Sequence, residues 1–456
     1  MNKIKVLLIE PAGDFIRLDR CMQRNGSWGG VYRFPLNLCR IAGYLLSLGH
    51  EVCFIDLQAD SRANLKHALA VMQPDLCILS CGYPSMQYDA KTARRIKQLS
   101  PKTHVSTFGV APTALEDSFF QKDVWGFDMP FDSIITGGEP ALGDEQLIIE
   151  GLELNQAKIC FSEMEKQKSI ETHLGRKLFN SSLYRSPFTG DIQTYVEGSY
   201  GCPHHCNFCV VNQLYDGAFA KRTPEDIVNE VILVVEKHGV KQFSLWDEGT
   251  TFQRSQIQEI CKRLIELKNS SISAFRNLTW NTRSTTALLD EETVELMKLS
   301  GMTGITLGLE SFDESILFST EKGTTVANNL EAIRLLKAVG IISIGHIVLG
   351  LPNETLESAE FTIQSVIDSG LDLAQFYCAV PYPATRLFEQ AIDLDLIRVN
   401  DFLKYELCNP IMDTVAGLSH TKVGELRKTA MQRFYEKNKL NLQMLKSEKF
   451  KKWATR

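Results

Sequence analysis

The sequence predicts an α/β protein made of a doubly wound parallel sheet, a partial (β/α)6 barrel and a helical C-terminal region. Short apolar runs alternate with amphipathic helical patterns in two successive series. A chain of 456 residues, 44% hydrophobic and 23% charged, is also too long for one ordinary core. No apolar run approaches the roughly 20 residues needed to span a bilayer. The opening stretch MNKIKVLLIEP lacks a long apolar h-region and a cleavage site, so it is expected to be a first strand and not a signal peptide.

In the first series the expected strands are Lys3–Glu10, Glu51–Asp56, Asp75–Ser80, Thr103–Phe108 and Asp132–Thr136, with helical patterns such as NLCRIAGYLLSLGH and YDAKTARRIKQLS between most of them. The second series gives strands Gln193–Gly198, Lys241–Trp246, Leu278–Arg283, Gly304–Glu310, Ile341–Leu349 and Leu371–Ala379. Helices including Pro224–His238, Asp290–Ser300, Val326–Val339 and Thr355–Ser369 separate them. Six β/α units in a row are expected to curve into a partial barrel, with active residues at the carboxyl ends of the strands. The expected domains are therefore residues 1–150, a linker over 151–191, the barrel over 192–394 and a basic helical region over 395–456.

The formal net charge is −6. Residues 420–456 carry 11 Lys and Arg against 3 Glu, or +8, which leaves about −14 for the rest. A solvated helix face explains that tail better than a nucleic-acid or membrane patch, so no nucleic-acid partner is expected. Twelve cysteines without a secretion signal point to a reducing, cytoplasmic setting in which clustered cysteines bind metal.

The stretch GCPHHCNFC, Gly201–Cys209, places Cys202, Cys206 and Cys209 in a C-x3-C-x2-C spacing. A structural zinc site needs a fourth ligand, and His204 or His205 would have to close it awkwardly beside a ligating cysteine on a tight loop. A [4Fe–4S] cluster held by three thiolates instead leaves one iron open for a substrate or cofactor.

This motif, with Phe208 before the last cysteine and a position just after the first strand of a β/α series, resembles the radical S-adenosylmethionine (SAM) superfamily. The resemblance implies a radical SAM barrel in which the open iron chelates SAM, and an electron from the cluster cleaves the sulfonium bond to give a 5′-deoxyadenosyl radical. An electron donor such as flavodoxin or ferredoxin is then an expected partner. WDEGTTF is similar to the family's acidic segment near the methionine amino group, which implies cofactor contacts for Asp247 and Glu248, although two acids ending a strand serve equally well as a helix N-cap. LGLES puts Glu310 where the family aims a polar group at SAM. GHIVLGLPNET resembles the fifth-strand G-L-P-G-E-T segment, with Asn353 in the place of Gly, a mild departure since asparagine can adopt αL. Arg283, ending WNTR, and PYPAT, with Ala384 where Gly is common, resemble pocket positions of the cobalamin-associated branch. A structural ion pair is an equal alternative for Arg283. Gln375 and Tyr377 share a strand face by period-2 spacing, with a pocket contact expected for Gln375 and core packing for Tyr377.

PLNLCRIAGYLLSLGHEVCFID, followed by PDLCILS and TGGEP, resembles the Rossmann-like cobalamin-binding domains fused to such barrels. Ser80, Gly109 and Gly138 are then the candidate cofactor contacts at the carboxyl ends of the sheet, with simple strand termination as the alternative. FGVAPT offers one glycine where the family has two, and no D-x-H-x-x-G supplies a lower histidine ligand to cobalt.

The resemblance implies a cobalamin-dependent radical SAM methyltransferase acting on an unactivated carbon of a small molecule, with a [4Fe–4S] cluster, SAM and cobalamin as cofactors. No residue stands out as a catalytic group beyond the cofactor contacts. An oxidative cyclase or rearrangement enzyme is the alternative, since GELRKTAMQRFYEK resembles the tails of anaerobic porphyrin-ring cyclases. A tRNA methylthiotransferase requires a cysteine triad in the first domain, where Cys21, Cys39, Cys53, Cys77 and Cys81 are scattered. A non-catalytic Fe–S protein has no need of Glu310, Asp247 or the fifth-strand motif.

Overall fold

The computed structural model describes residues 3–15, 32–122, 126–136, 158–160, 172–186, 189–214, 219–249 and 253–438. The first sheet is fully parallel and has six strands: β1 (Lys5–Glu10), β2 (Glu51–Asp56), β3 (Leu76–Ser80), β4 (His104–Phe108), β5 (Ser133–Thr136) and β6 (Lys158–Cys160). Their order is β2-β1-β3-β4-β5-β6. β1 shows why this sequence makes such a sheet. Val6, Leu7, Leu8 and Ile9 are all completely buried, with Leu7 and Ile9 in one apolar cluster and Val6 and Leu8 in the other. A strand covered on both faces must be apolar at every position.

The second sheet contains β7 (Gln193–Glu197), then β10 (Gln242–Trp246), β11 (Thr279–Ser284), β12 (Met302–Glu310), β13 (Ile342–Leu349) and β14 (Leu373–Cys378). All are parallel and pair in chain order, so the sheet stays open, with β7 and β14 at its edges. Intervening between β7 and β10 is a two-stranded antiparallel ribbon of β8 (Ser199–Gly201) and β9 (Phe219–Lys221). The helices that return each strand are punctuated by local signals. Helix 224–238 starts at Thr223, whose hydroxyl accepts the Asp226 N–H, has proline at its first position, and ends at Gly239 in the left-handed region.

Two expectations need adjustment. Residues 158–160 and 172–176 fall in the range expected to be a linker with some helix; the first adds strand β6 instead, while the second is a short helix packed on helix 36–47. Gly175 makes that packing possible, since a Cβ there stands 2.0 Å from the Cys39 carbonyl oxygen. After residue 395 the chain is partly irregular, with a 3-10 turn at Phe402–Lys404 and a bridge between Ile397 and Met412 before helix His420–Lys437. The basic residues beyond 438 lie outside the described residues, as do Gly138 and most of TGGEP. No helix among the described residues is long and apolar enough to cross a membrane.

Candidate active site

A cavity of about 710 Å³ runs along one face of the second sheet, from strand starts such as Gln193, Gln242 and Ile342 to the carboxyl ends, within the size range of small-molecule sites. Cys202, Cys206 and Cys209 all line it, as do Glu248, Arg283, Glu310 and Gln375. The cysteine loop is fixed from behind. The Asn207 N–H donates to the Thr320 carbonyl (3.1 Å), its side-chain amide to Ser319 (2.8 Å), and its own carbonyl accepts the Leu387 N–H (3.0 Å). Phe208 packs on an apolar cluster that includes Ile316 and Leu387. Among the described residues no three His, Cys, Asp or Glu side chains converge tightly enough to enclose a single metal ion, as a closed zinc site requires. Three soft thiols on one loop facing a cavity are the donor set of an iron–sulfur cluster, where each thiolate goes to a different iron.

Glu310 ends β12 at φ +58°, just past a register shift between Gly308 and Glu310. The bulge turns its side chain towards Lys322, whose ammonium donates to the Glu310 carboxylate at 2.5 Å and to the Gly308 carbonyl at 2.6 Å. Both side chains are largely buried. Lys322 lies 12 residues downstream of Glu310 and carries no motif of its own, so nothing in the linear pattern singled it out.

The two acids of WDEG part company. Asp247 does not line the cavity, and its carboxylate accepts the backbone N–H groups of Gly198 (2.9 Å) and Ser199 (2.6 Å). Burial pushes its carboxyl up to about 6 even against those two bonds. It does not cap the next described helix, which starts after Gln253; it fixes the turn that launches β8 and the cysteine loop. Glu248 is the acid that faces the cavity. Arg283 lays its guanidinium over the Trp246 ring, 3.5 Å from the centroid, a cation–π contact and not merely an ion pair.

On β14 both Gln375 and Tyr377 line the cavity, and Tyr377 is at the same time buried, as expected. The Tyr377 hydroxyl donates to Gln375 Oε1 and stands 3.4 Å from His346 Nε2 on β13. His346 is held far below the usual imidazole range, at about 3, first by burial and then by the positive charges of Arg283, Lys322 and Arg33. It is therefore neutral. His346 and Arg33 are cavity residues that sequence patterns did not reveal, because they come from separate elements.

The first sheet supplies the other side. Its strand order reverses between β1 and β3, the crevice where open α/β sheets bind ligands. Glu10 and Ser80 end those two strands, and the Ser80 hydroxyl donates to the Glu10 carboxylate at 3.0 Å. Gly109, at φ +125°, lets the next loop pass over Cys81, whose carbonyl oxygen a Cβ would meet at 2.3 Å. Its glycine is thus accounted for by chain packing. His50 and His104 sit at the amino ends of β2 and β4, and His67 lies exposed in helix 65–72, so the described carboxyl ends carry no histidine. Tyr184 joins the two sides, lining the cavity while its hydroxyl donates to Asp56 at the end of β2 (2.8 Å).

Residues 196–366 match the family described as the radical SAM superfamily. The chain is similar to the anaerobic magnesium-protoporphyrin IX monomethyl ester cyclase of Cereibacter sphaeroides, 27% identical over 449 residues, covering 91% of this chain and 68% of that protein. It is 25% identical over 226 residues to the cytidylyl-2-hydroxyethylphosphonate methyltransferase of Streptomyces wedmorensis, covering 47% of this chain and 41% of the relative. Among solved structures, the fold resembles the radical SAM methyltransferase TsrM from Kitasatospora setae, with cobalamin and [4Fe-4S] cluster bound, at a TM-score of 0.65 and 16% identity. That match covers 87% of this chain and 76% of TsrM.

Proposed function

We propose that this chain, which belongs to the radical SAM superfamily, is a cobalamin-dependent methyltransferase acting on an unactivated carbon of a small molecule. The observation that carries it is the three-cysteine loop opening into one cavity with the strand ends of an open six-stranded sheet, beside a second parallel sheet with a ligand crevice. A bound cluster and SAM supply a carbon radical that abstracts hydrogen, and cobalamin supplies a methyl carrier. Cys202, Cys206 and Cys209 hold the cluster. Glu310 and Lys322, a carboxylate and an ammonium at one strand end, match the amino and carboxylate groups of SAM in charge. Glu248, Arg283 and Gln375 face the remaining space. Ser80 and Gly109, at described strand ends, would border the crevice proposed for cobalamin; Gly138, assigned to the same role, lies outside the described residues. Aromatic side chains of the wall, including Tyr195, Trp246 and Tyr377, exclude water from a radical. The electron that starts the reaction comes from a flavodoxin or ferredoxin type of donor, in a reducing cytoplasm.

One observation favours a second reading. The similarity to the cyclase runs over 91% of the chain, whereas that to the phosphonate methyltransferase runs over 47%. An oxidative cyclase of a carboxylated ring system uses the same cofactors without net methyl transfer.

Anaerobic reconstitution with iron, sulfide and cobalamin, followed by incubation with SAM and a reductant, tests both. Formation of 5′-deoxyadenosine together with S-adenosylhomocysteine supports methyl transfer. 5′-Deoxyadenosine alone favours the cyclase. Neither product, in protein with a full cluster, rejects both readings.

A further inference from the structure

Four cavity groups form a chain of contacts that runs across the two halves of the molecule. Arg33, from the segment before helix 36–47, donates from Nη1 to the Tyr195 hydroxyl on β7 at 2.9 Å. The Tyr195 ring lies against Trp246 at the end of β10, with centroids 4.5 Å apart. Arg283, on β11, lies over the Trp246 ring. Two guanidinium groups thus contact an aromatic pair on the cavity wall.

Among the described residues Arg33 has a phenol and no carboxylate as its partner, and its Nε is buried without a hydrogen bond. An arginine so placed carries a desolvation cost that an anion would offset. Lys322 is different, because Glu310 already neutralises it. With that pair set aside, three guanidinium groups (Arg33, Arg185, Arg283) and one carboxylate (Glu248) are the charged side chains that line the cavity among the described residues. Gln375, 1% exposed, adds a donor: its Oε1 accepts from Tyr377, while its Nε2 is buried and makes no hydrogen bond. Gln375 stands in register with His346 on the next strand. Arg33, Arg283, His346 and Gln375 all line the one cavity.

We propose that Arg33, Arg283 and Gln375 form a carboxylate-binding subsite, apart from the Glu310–Lys322 end of the cavity, and that the substrate is an anionic molecule with an apolar or aromatic body. The proposal rests on the enzymatic reading above and adds the substrate class to it. Guanidinium groups take a carboxylate by paired N–H bonds, and the amide N–H of Gln375 adds a third donor. Tyr195 and Trp246 offer a flat surface to the attached ring or chain. Arg33 and Gln375 act here as specificity residues, and no proton or electron passes through them.

The test uses full-length protein reconstituted with its cluster, titrated calorimetrically with three acid–amide pairs: benzoate and benzamide, indole-3-acetate and indole-3-acetamide, hexanoate and hexanamide. In at least one pair the acid is expected to bind about tenfold tighter than its amide. Arg33→Gln removes most of that preference, and Gln375→Glu, which keeps the bond to Tyr377 but introduces a negative charge, abolishes it. Iron content and melting temperature show that each variant is folded. Equal binding of acid and amide in all three pairs, including no binding of either, overturns the subsite. An Arg33→Gln variant that loses SAM affinity while keeping the acid preference also overturns it, by assigning Arg33 to SAM. These readings need no turnover, so a protein that fails to cleave SAM rejects the proposed function and leaves the subsite to its own test.

Discussion

Ala384 stands at φ +65° in PYPAT, exposed and without packing partners that would justify the conformation. A left-handed L-residue costs roughly 1–2 kcal/mol, which gives a physical reason for glycine at this point of the motif. Ala384→Gly is accordingly expected to stabilise the protein by about 1 kcal/mol, seen as a higher midpoint in thermal or urea unfolding. Asn353 tells the opposite story. The positive φ of its turn belongs to Gly350, at +84°, so asparagine there has no left-handed conformation to bear and the turn tolerates it. Glu310 does carry strain, at φ +58°, and strained backbone at a strand end is commonly tied to function. If its carboxylate serves SAM, Glu310→Gln lowers SAM affinity about tenfold with iron and sulfide content unchanged; unaltered affinity in equilibrium dialysis would return Glu310 to a structural role as the partner of Lys322.

The strands were legible in the sequence because each is a buried run with a regular period. Eleven of them lie within a residue or two of their expected limits, and the helices carry clear caps. β6, β8 and β9 were not, since three residues are too few to show any period. In the site, the cysteine loop could be read because its ligands are close in sequence. Lys322, Arg33 and His346 could not, because only the tertiary fold brings them to the cavity. The loop after β13 hides a further case. Glu354 is completely buried with Oε2 accepting the Gly350 N–H at 2.5 Å, and burial raises its carboxyl to about 8. The fold therefore binds a proton that the unfolded chain releases near pH 4.5. This group's share of stability is fully present below pH 4.5 and is lost as pH rises to about 8. Glu354→Gln, uncharged at every pH, is expected to flatten the stability profile across that window, as measured by urea unfolding at pH 5, 6.5 and 8.

Across the whole molecule, the two sheets are joined by charged groups shut away from water. Arg176, directly after Gly175, reaches Glu230 on helix 224–238 at 2.5 Å and the Tyr195 carbonyl at 2.6 Å, and Arg222 also pairs with Glu230. Arg40, from helix 36–47, meets Glu197 at the end of β7 at 3.2 Å. Burial alone would raise the Glu230 carboxyl, but Arg176 and Arg222 bring it down to about 2. Its contribution is therefore present above pH 4.5 and disappears as pH falls towards 2. Glu230→Ala strands two buried guanidinium groups and is expected to cost about 3–5 kcal/mol. Gly175→Ala, which forces helix 172–176 away from Cys39, is expected to cost about 1–3 kcal/mol. A variant of either kind that unfolds at the parental urea concentration would show that this junction contributes nothing to stability.

Arg33, Phe34 and Tyr184 come from outside the second sheet, yet they wall the same chamber as its strand ends. The vessel that would confine a reactive intermediate is thus assembled from both halves, and neither half alone encloses it. Grafting the second sheet onto a foreign partner would keep the cysteine loop and lose part of the container, leaving radicals open to quenching by solvent. Exchange of the first half among relatives would alter which molecules are admitted while leaving the cysteine loop in place, so substrate range in this architecture can diversify through the part of the chain that does not carry the cluster.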